Sequence, residues 1–233
     1  MKRLVAATAL MVTLMNGAAR ADERLAVVEL FTSQGCSSCP PADALLGELA
    51  RRGTVVALAY HVDYWDHLGW KDPFASAAAT ERQRLYAHRL GLSGIYTPQM
   101  VVDGVTDVVG SDRRAVLAAL AGQRQGPELR LTLGNGMLEV TLPAQKTATA
   151  AEIVVVAYSQ EAKTTVARGE NAGRSLTEYS IVRDVYQLGR WRGEAASYSF
   201  DLSKVGGDAT GLAVLVQETG QGRILGAAMA KLR

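Results

Sequence analysis

Only two of the 233 residues are cysteines, and only three are histidines. Two cysteines are too few for a disulfide-rich scaffold, so a hydrophobic core must stabilise the fold. Aromatic residues make up 6% and charged residues 21% of the chain, while 48% of it is hydrophobic. This ordinary globular composition excludes a disordered or collagen-like protein and suits one large domain or two small ones.

Neither sign of charge dominates, since the chain has 25 Lys and Arg residues and 23 Asp and Glu residues. A protein this close to neutral lacks the basic surface that nucleic-acid binding needs, so we expect no nucleic-acid partner. No apolar run reaches the roughly 20 residues of a membrane-spanning helix. We therefore expect no stable membrane insertion once the N-terminal signal described next is cleaved.

The first 21 residues have the pattern of a secretory signal peptide, although a buried N-terminal helix is the alternative. Lys2 and Arg3 precede a mostly apolar stretch over residues 4–15, and residues 19–21 read Ala-Arg-Ala, a cleavage-site pattern. Cleavage there would remove three basic residues and leave the chain near neutral. We expect a mature protein that starts at residue 22 and is secreted or periplasmic.

Residues 22–125 alternate strand-like and helix-like patterns in the order β-α-β-α-β-β-α. A strand-helix-strand opening implies a parallel strand pair with a right-handed crossover. Asp103-Gly104 is typical of a tight hairpin turn, and Ser111 is suited to cap the last helix. The predicted strands cover residues 25–31, 54–62, 100–102 and 105–109, and the predicted helices cover residues 41–51, 75–90 and 112–121.

Beyond a linker pattern at residues 122–127, the hydrophobic period changes to two. Leu129, Leu131 and Leu133 alternate with polar residues, and similar patterns recur towards the end of the chain. Several short strands separated by turn signals predict an antiparallel sandwich. The expected fold class is an α/β domain over residues 22–125 followed by a β-sandwich-like domain over residues 127–233.

Cys36 and Cys39 lie three residues apart, between the first strand and the first helix. A purely structural disulfide there would close a loop of about four residues, which stabilises a fold by only roughly 2 kcal/mol. A redox pair accounts better for this position, because the unpaired N–H groups at a helix N-terminus favour a thiolate. The second cysteine is then placed to resolve a mixed disulfide.

Metal binding is a third interpretation of the pair. A lone Cys-x-x-Cys supplies two of the four ligands of a structural zinc site, and His61 is a candidate third ligand. No fourth ligand is evident in the sequence. Cys36, Cys39 and His61 therefore form the alternative metal set, whereas the redox interpretation implies no metal and no bound organic cofactor.

A Thr97-Pro98 pair stands directly before the predicted hairpin. Together with the Cys-x-x-Cys motif it resembles the thioredoxin superfamily, which has a cis-proline beside its cysteine pair, and this resemblance covers roughly residues 25–121. A closer resemblance is to an uncharacterised family of bacterial secreted proteins with a thioredoxin-like domain. It rests on the stretches ELFTSQGCSSCPPAD at residues 29–43, HVDYWDHLGWKDPF at residues 61–74 and GENAGRSL at residues 169–176.

The resemblance implies a role for each motif residue. Cys36 would be the attacking and more exposed thiol and Cys39 the resolving thiol, while Thr97 and Pro98 would shape a groove for a partner's extended backbone. The partners would be thiols or disulfides of other exported proteins. The Ser-Ser dipeptide between the cysteines departs from well-known oxidoreductases, and so does Gly35 in place of a tryptophan. The direction of electron flow therefore stays open.

Glu29 and His61 are candidates for a proton relay. Glu29 shares a strand face with apolar neighbours, so it is either a buried carboxylate near the thiols or a rim residue that meets water or an arginine. His61 follows the second strand, at the sheet edge where the cysteines are also expected, and is able to stabilise a thiolate.

Other polar residues have simpler interpretations. Asp63, Asp66 and His67 are expected to order a loop, and His88 to lie on a solvated helix face. A loop further along the chain is either an ordinary sandwich loop or one that docks at the cysteine groove. Its polar residues are Arg168, Glu170, Asn171 and Arg174.

Three hypotheses for function follow. The first is thiol–disulfide exchange through Cys36 and Cys39 in an exported protein. The alternatives are a periplasmic metal-binding or metallochaperone protein that uses the pair with His61, and a non-catalytic binding module that keeps the fold and an inert disulfide.

Overall fold

The structure is a computed structural model that describes residues 24–147 and 149–232. The predicted signal peptide at residues 1–21 lies outside the described residues. In the described part of the chain, eleven β-strands and three α-helices follow one another. None of these helices is long and apolar enough to cross a membrane.

The first half of the chain has the predicted order of strands and helices, which is therefore confirmed. Its elements are β1 (Ala26–Thr32), α1 (Pro40–Ala50), β2 (Val55–His61), a 3-10 helix (Asp63–Leu68), α2 (Ala77–Leu90), β3 (Gln99–Val102), β4 (Thr106–Val109) and α3 (Arg113–Leu120). The second half is built from strands: β5 (Arg130–Gly134), β6 (Met137–Leu142), β7 (Ala151–Thr165), β8 (Ser175–Trp191), β9 (Ala196–Asp201), β10 (Gly211–Glu218) and β11 (Ile224–Lys231).

Eight of these strands form one mixed sheet in the order β11-β10-β7-β8-β2-β1-β3-β4. β1 and β2 pair in parallel, from Ala26 opposite Val55 to Thr32 opposite His61, as the strand-helix-strand opening predicts. β3 adds to the other side of β1 in the antiparallel direction. β5, β6 and β9 form a separate antiparallel sheet of three strands.

The large sheet continues across the predicted boundary between the two segments. Ala59 of β2 pairs in parallel with Ile181 of β8, so strands from residues 127–233 extend the sheet of residues 22–125. The general α/β-plus-β organisation is confirmed, but the sandwich is not built from strands of the second segment alone. Hydrophobic period reveals which face of a strand is buried, not which strand lies beside it. The division into two domains stays a prediction.

Three hydrophobic clusters hold the layers together. On one face of β1 and β2, side chains of α1 such as Leu46 and Leu49 pack against Val28 and Leu30. The opposite face packs against α2 and also against β7, β10 and β11, because the sheet curls. The third cluster lies between the small sheet and the outer face of β7 and β10. The start of α1 is thereby fixed at one edge of the sheet.

A hairpin turn and a helix cap test the local predictions. Asp103 and Gly104 both have positive φ angles, 52° and 72°, as the predicted hairpin turn requires. The predicted cap of the last helix is wrong by one residue. The side chain of Asp112, not that of Ser111, accepts a hydrogen bond from the N–H of Ala115 at 3.0 Å.

Candidate functional site

A disulfide bond joins Cys36 and Cys39 at the start of α1. Cys39 is the N-cap residue of the helix, and its carbonyl accepts a hydrogen bond from the N–H of Ala42 at 2.8 Å. Pro40 and Pro41 occupy the first turn, where a missing N–H costs nothing. The helix therefore fixes the position of the pair and places it at the positive end of the helix dipole.

Both cysteines are completely buried, with an exposed fraction of 0% each. Ser37 and Ser38 between them are exposed, so the cysteine loop itself reaches the surface. The expectation that Cys36 is the more exposed thiol is wrong for this disulfide form. The hydroxyl of Ser38 lies 3.4 Å from Sγ of Cys36, and two neighbouring segments pack on the cysteine loop.

The first of these segments is the connection between β7 and β8, residues 166–174, in which Val166 is buried. We call residues 167–174 the hairpin tip. Asn171 within it is 0% exposed. Its Nδ2 atom donates hydrogen bonds to the backbone carbonyls of Gln34 and Cys36, each at 3.0 Å. The hairpin tip is thus fastened to the backbone on both sides of Gly35.

Further contacts hold the hairpin tip. The carboxylate of Glu170 accepts a hydrogen bond from the N–H of Ser37 at 3.2 Å. Arg174 donates to Oδ1 of Asn171 at 2.8 Å, which orients the carboxamide so that Nδ2 faces the cysteine loop. The interpretation that this polar loop docks at the cysteine groove is confirmed.

The second neighbour lies in the connection from β2 to α2, residues 62–76, of which we call residues 62–74 the tryptophan segment. A Cβ atom at Gly35 would come within 3.1 Å of the Cβ of Trp65, so the lack of a side chain lets Trp65 approach the cysteine loop. Nε1 of Trp70 donates to the side chain of Gln34 at 2.9 Å. Trp70 also lies against Gly169 of the hairpin tip.

Thr97 and Pro98 lie at the same sheet edge as the cysteine loop. Gln99 pairs with Phe31 in the antiparallel ladder, so the two residues before it come beside the end of β1. The Thr97–Pro98 peptide bond is cis, and Nε1 of Trp65 donates to Oγ1 of Thr97 at 2.9 Å. The structure therefore brings the cysteine pair and the Thr-Pro pair together.

His61 is buried at the end of β2, where its Nδ1 lies 2.7 Å from the Asp72 carboxylate. Burial alone would lower the pKa of His61, but the charge and hydrogen bond of Asp72 raise it above its usual value. Burial alone would raise the pKa of Asp72, but His61 and the N–H groups of Gln34 and Phe74 lower it. The N–H of Gln34 donates to this carboxylate at 2.8 Å and so links the pair to the cysteine loop.

Asp43 and Glu178 are buried carboxyl groups that the sequence reasoning missed. Burial raises the pKa of Asp43 to about 6, although His61 and a hydrogen bond from Thr32 oppose the shift. Burial raises the pKa of Glu178 to about 7, again against the charge of His61. Asp43 lies one turn of α1 beyond Cys39, and Glu178 lies in β8. Both carboxyl groups titrate near neutral pH. Glu178 lies between buried Leu176 and Ser180 on β8, and no local pattern in the sequence marks it as buried.

Glu29 lies away from this cluster. It points with Val27 and Phe31 to the α2 face of the sheet, whereas α1 packs on the other face. Its carboxylate accepts hydrogen bonds from Arg82 at 2.7 Å and from Tyr86. Glu29 is therefore buried and meets an arginine, and the structure does not bring it together with the cysteines.

The remaining polar candidates are separate from the cysteine loop. Asp63 accepts a hydrogen bond from Thr80 at 2.6 Å, and Asp66 accepts one from the N–H of Asp72 at 3.1 Å, so both order the tryptophan segment. His67 and His88 are exposed. Among residues 24–147 and 149–232, no group of three or more His, Cys, Asp or Glu side chains is arranged to hold a metal ion. The metal set with His61 stays a prediction.

The fold and site define an α/β protein with a buried disulfide at a helix N-terminus. The family described as "Protein of unknown function (DUF1223)" matches residues 27–217, and the chain belongs to that family. The search of curated proteins finds no match.

Two solved structures are similar to the chain. The crystal structure of protein AGR_C_4864 from Agrobacterium tumefaciens is 34% identical, with a TM-score of 0.76 over 90% of this chain and 95% of that one. HBP35 of Porphyromonas gingivalis is 14% identical, with a TM-score of 0.62 over 90% of this chain and 76% of that one. The second similarity concerns the fold alone.

Proposed function

We propose that this protein exchanges disulfides with partner proteins through Cys36 and Cys39, in a first half that is thioredoxin-like. The observation that carries the proposal is the position of the disulfide. It caps α1 at the sheet edge that also holds Thr97, Pro98 and a buried acid–base cluster. The positive end of a helix dipole stabilises a thiolate at such a position, which favours exchange.

The reaction is balanced between the protein and two partner thiols. A partner thiolate attacks Sγ of Cys36, the bond between the two cysteines breaks, and Cys39 leaves with the electron pair. A second partner thiolate then attacks the partner sulfur of the mixed disulfide, and Cys36 leaves. The partner loses two electrons and two protons, which reduce and protonate the two cysteines. The same steps in reverse reduce a partner disulfide.

The protons of this reaction need a donor that titrates near neutral pH. Asp43, with its pKa raised to about 6, and Glu178, with its pKa raised to about 7, meet that requirement beside His61. The relay that we propose therefore keeps His61 and replaces Glu29 with these two carboxyl groups. Glu29 is engaged by Arg82 and Tyr86 on the opposite face of the sheet.

The partners that we propose are thiols or disulfides of other exported proteins. This part rests on the signal-peptide pattern of residues 1–21 and on the resemblance to bacterial secreted proteins. Fractionation of cells that produce the full chain tests it, since the protein should appear outside the cytoplasm without its first residues. Retention in the cytoplasm at full length would overturn it.

A second candidate function is a binding module with an inert disulfide. It is favoured by one observation, the complete burial of both cysteines. Such a disulfide would be reduced only after unfolding and would exchange with no partner under native conditions.

Trapping of mixed disulfides decides between these functions. Cys39→Ser should accumulate a mixed disulfide at Cys36 with a peptide that carries a disulfide, releasing one peptide thiol, whereas Cys36→Ser should accumulate far less. Ser37→Ala, at an exposed position between the cysteines, keeps both thiols and is the matched control, which should turn over without accumulation. If both cysteine variants oxidise or reduce the peptide as fast as wild type, the exchange proposal is wrong.

The reduction potential of the Cys36–Cys39 pair gives the direction of electron flow. A value near about −120 mV would identify an oxidant and a value near about −270 mV a reductant, on the scale of known thiol enzymes. Equilibration with glutathione or dithiothreitol buffers, followed by alkylation and mass measurement, provides the value.

A further inference from the structure

The disulfide in this structure is not open to attack. A thiolate must reach a sulfur atom along the line of the bond that it breaks. Cys36 and Cys39 are 0% exposed, so no external nucleophile reaches either sulfur while the surrounding segments stay in place. If the protein exchanges disulfides as proposed, a segment of the cover must first move.

The hairpin tip is the more weakly held of the two covering segments. The tryptophan segment is anchored by the buried pair of His61 and Asp72 and by the bond between Asp63 and Thr80. The hairpin tip joins two strands, and most of its residues are exposed. Segments with few buried contacts open locally at a lower free energy than the rest of a fold.

We infer that the hairpin tip is a displaceable cover held by Asn171, and that the two backbone carbonyls beneath Asn171 favour polypeptide partners. This inference rests on the proposed exchange reaction. Asn171 is the buried residue of the exposed stretch from 167 to 174, and its Nδ2 atom occupies the carbonyls of Gln34 and Cys36. Displacement of the tip frees both carbonyls, which then need new hydrogen-bond donors.

The freed carbonyls select a class of partner. A polypeptide that brings backbone N–H groups beside its cysteine satisfies both acceptors, and so recovers the bonds that Asn171 gives up. A small thiol has no such donors, so water must solvate the Gln34 carbonyl, and the Cys36 carbonyl keeps its bond from the N–H of Cys39 at 3.3 Å. The freed carbonyls thus favour polypeptide thiols and disulfides over small thiols, while Asn171 sets how readily the tip opens for both.

Two substitutions remove the donor in different ways. Asn171→Asp keeps the shape of the side chain but turns an oxygen towards the two carbonyls, and Asn171→Ala removes the group without adding charge. Loss of two hydrogen bonds should speed reduction of the disulfide by dithiothreitol by about tenfold or more. Arg168→Ala, in the same exposed tip, is the matched control and should react at the wild-type rate.

The urea dependence of the reduction rate separates local opening from unfolding. Displacement of the tip exposes little surface, so the rate should rise only weakly with urea, far less steeply than global unfolding does. Preference for a cysteine-containing peptide over dithiothreitol should stay at the wild-type ratio in both Asn171 variants, because both keep the carbonyls of Gln34 and Cys36. Wild-type rates in both variants, or a urea slope equal to that of global unfolding, would overturn the inference.

These outcomes are independent of the exchange proposal. One outcome is that dithiothreitol reduces both Asn171 variants faster than wild type while neither wild type nor a variant forms mixed disulfides with peptides. In that case the hairpin tip covers the disulfide as inferred, and the proposed function fails. If exchange with peptides occurs and the Asn171 variants behave like wild type, the function stands and the cover is wrong.

Discussion

The ring of Tyr179 in β8 lies against the backbone of Gly47 in α1, in the space where any other residue would have its Cβ atom. The guanidinium of Arg51, at the end of α1, lies over the same Tyr179 ring, 5.4 Å from the ring centroid. The helix that carries the cysteines is therefore packed directly on the long hairpin whose tip covers them.

We expect Gly47→Ala to destabilise the protein by about 1–3 kcal/mol, because the new methyl group overlaps the ring and the core must shift. Alanine in a helix interior is otherwise favoured over glycine by about 1 kcal/mol. Urea unfolding of the two proteins measures the difference. A variant that is more stable than wild type would contradict the close contact with Tyr179.

A double-mutant cycle isolates this contact. In a Tyr179→Ala background the ring is absent, so Gly47→Ala should become neutral or stabilising by up to about 1 kcal/mol. The same substitution thus changes sign with its neighbour. An equal destabilisation in both backgrounds would mean that the cost comes from elsewhere in α1.

Glu178 should make the protein less stable as pH rises. Its pKa is 4.5 when unperturbed and about 7 in the folded protein, so the folded state binds the proton more tightly. Stability is highest below the lower value and is lost as pH rises through the higher one. We expect Glu178→Gln to be more stable than wild type at pH 8 by on the order of 2–3 kcal/mol, with the two proteins converging near pH 4.

Urea unfolding at several pH values between 4 and 8 tests this linkage. Glu161→Gln, at an exposed position in the neighbouring strand, is the control and should keep the wild-type pH profile. If the difference between Glu178→Gln and wild type does not change with pH, the pKa of Glu178 is not raised.

The buried pair of Glu29 and Arg82 should be essential for stability. Arg82→Met leaves the Glu29 carboxylate without its cation, and breaking a buried pair on one side typically costs about 3–5 kcal/mol. Arg84→Met in the same helix removes an exposed pair with Glu81 and should change stability by less than about 1 kcal/mol. Thermal unfolding compares the two. Similar melting temperatures for both variants would contradict the structural role of Glu29.

The sequence predicted the local helices, strands and turn of the first half. Apolar runs and helical spacing predicted β1, α1, β2 and α2, and Asp103-Gly104 predicted the hairpin turn, because each depends on neighbours along the chain. The cysteine pair at the start of α1 also followed from spacing alone. The cap at Asp112 was missed since Ser111 and Asp112 are equally suited to that role.

The covering of the disulfide was not readable from the sequence, because it depends on residues more than 130 positions apart. Nothing local marks Asn171 as buried, since its neighbours in the hairpin tip are exposed. The strand that carries Glu178 is rich in polar residues and shows no clear hydrophobic run, so its partnership with β2 was hidden. Pairing between distant strands brought Glu178 within range of the charges of His61 and Asp43.

Glu29 also separates what the sequence predicts from what the fold determines. Its place on a buried strand face followed from the alternation of β1, but its partner did not. The sequence by itself determined where the cysteines lie on the local framework and which strand faces are apolar. Only the tertiary structure decided that Arg82 is the partner of Glu29, which carboxyl groups lie near the disulfide, and that the disulfide is covered. Each of these outcomes depends on contacts between segments that are far apart in the chain.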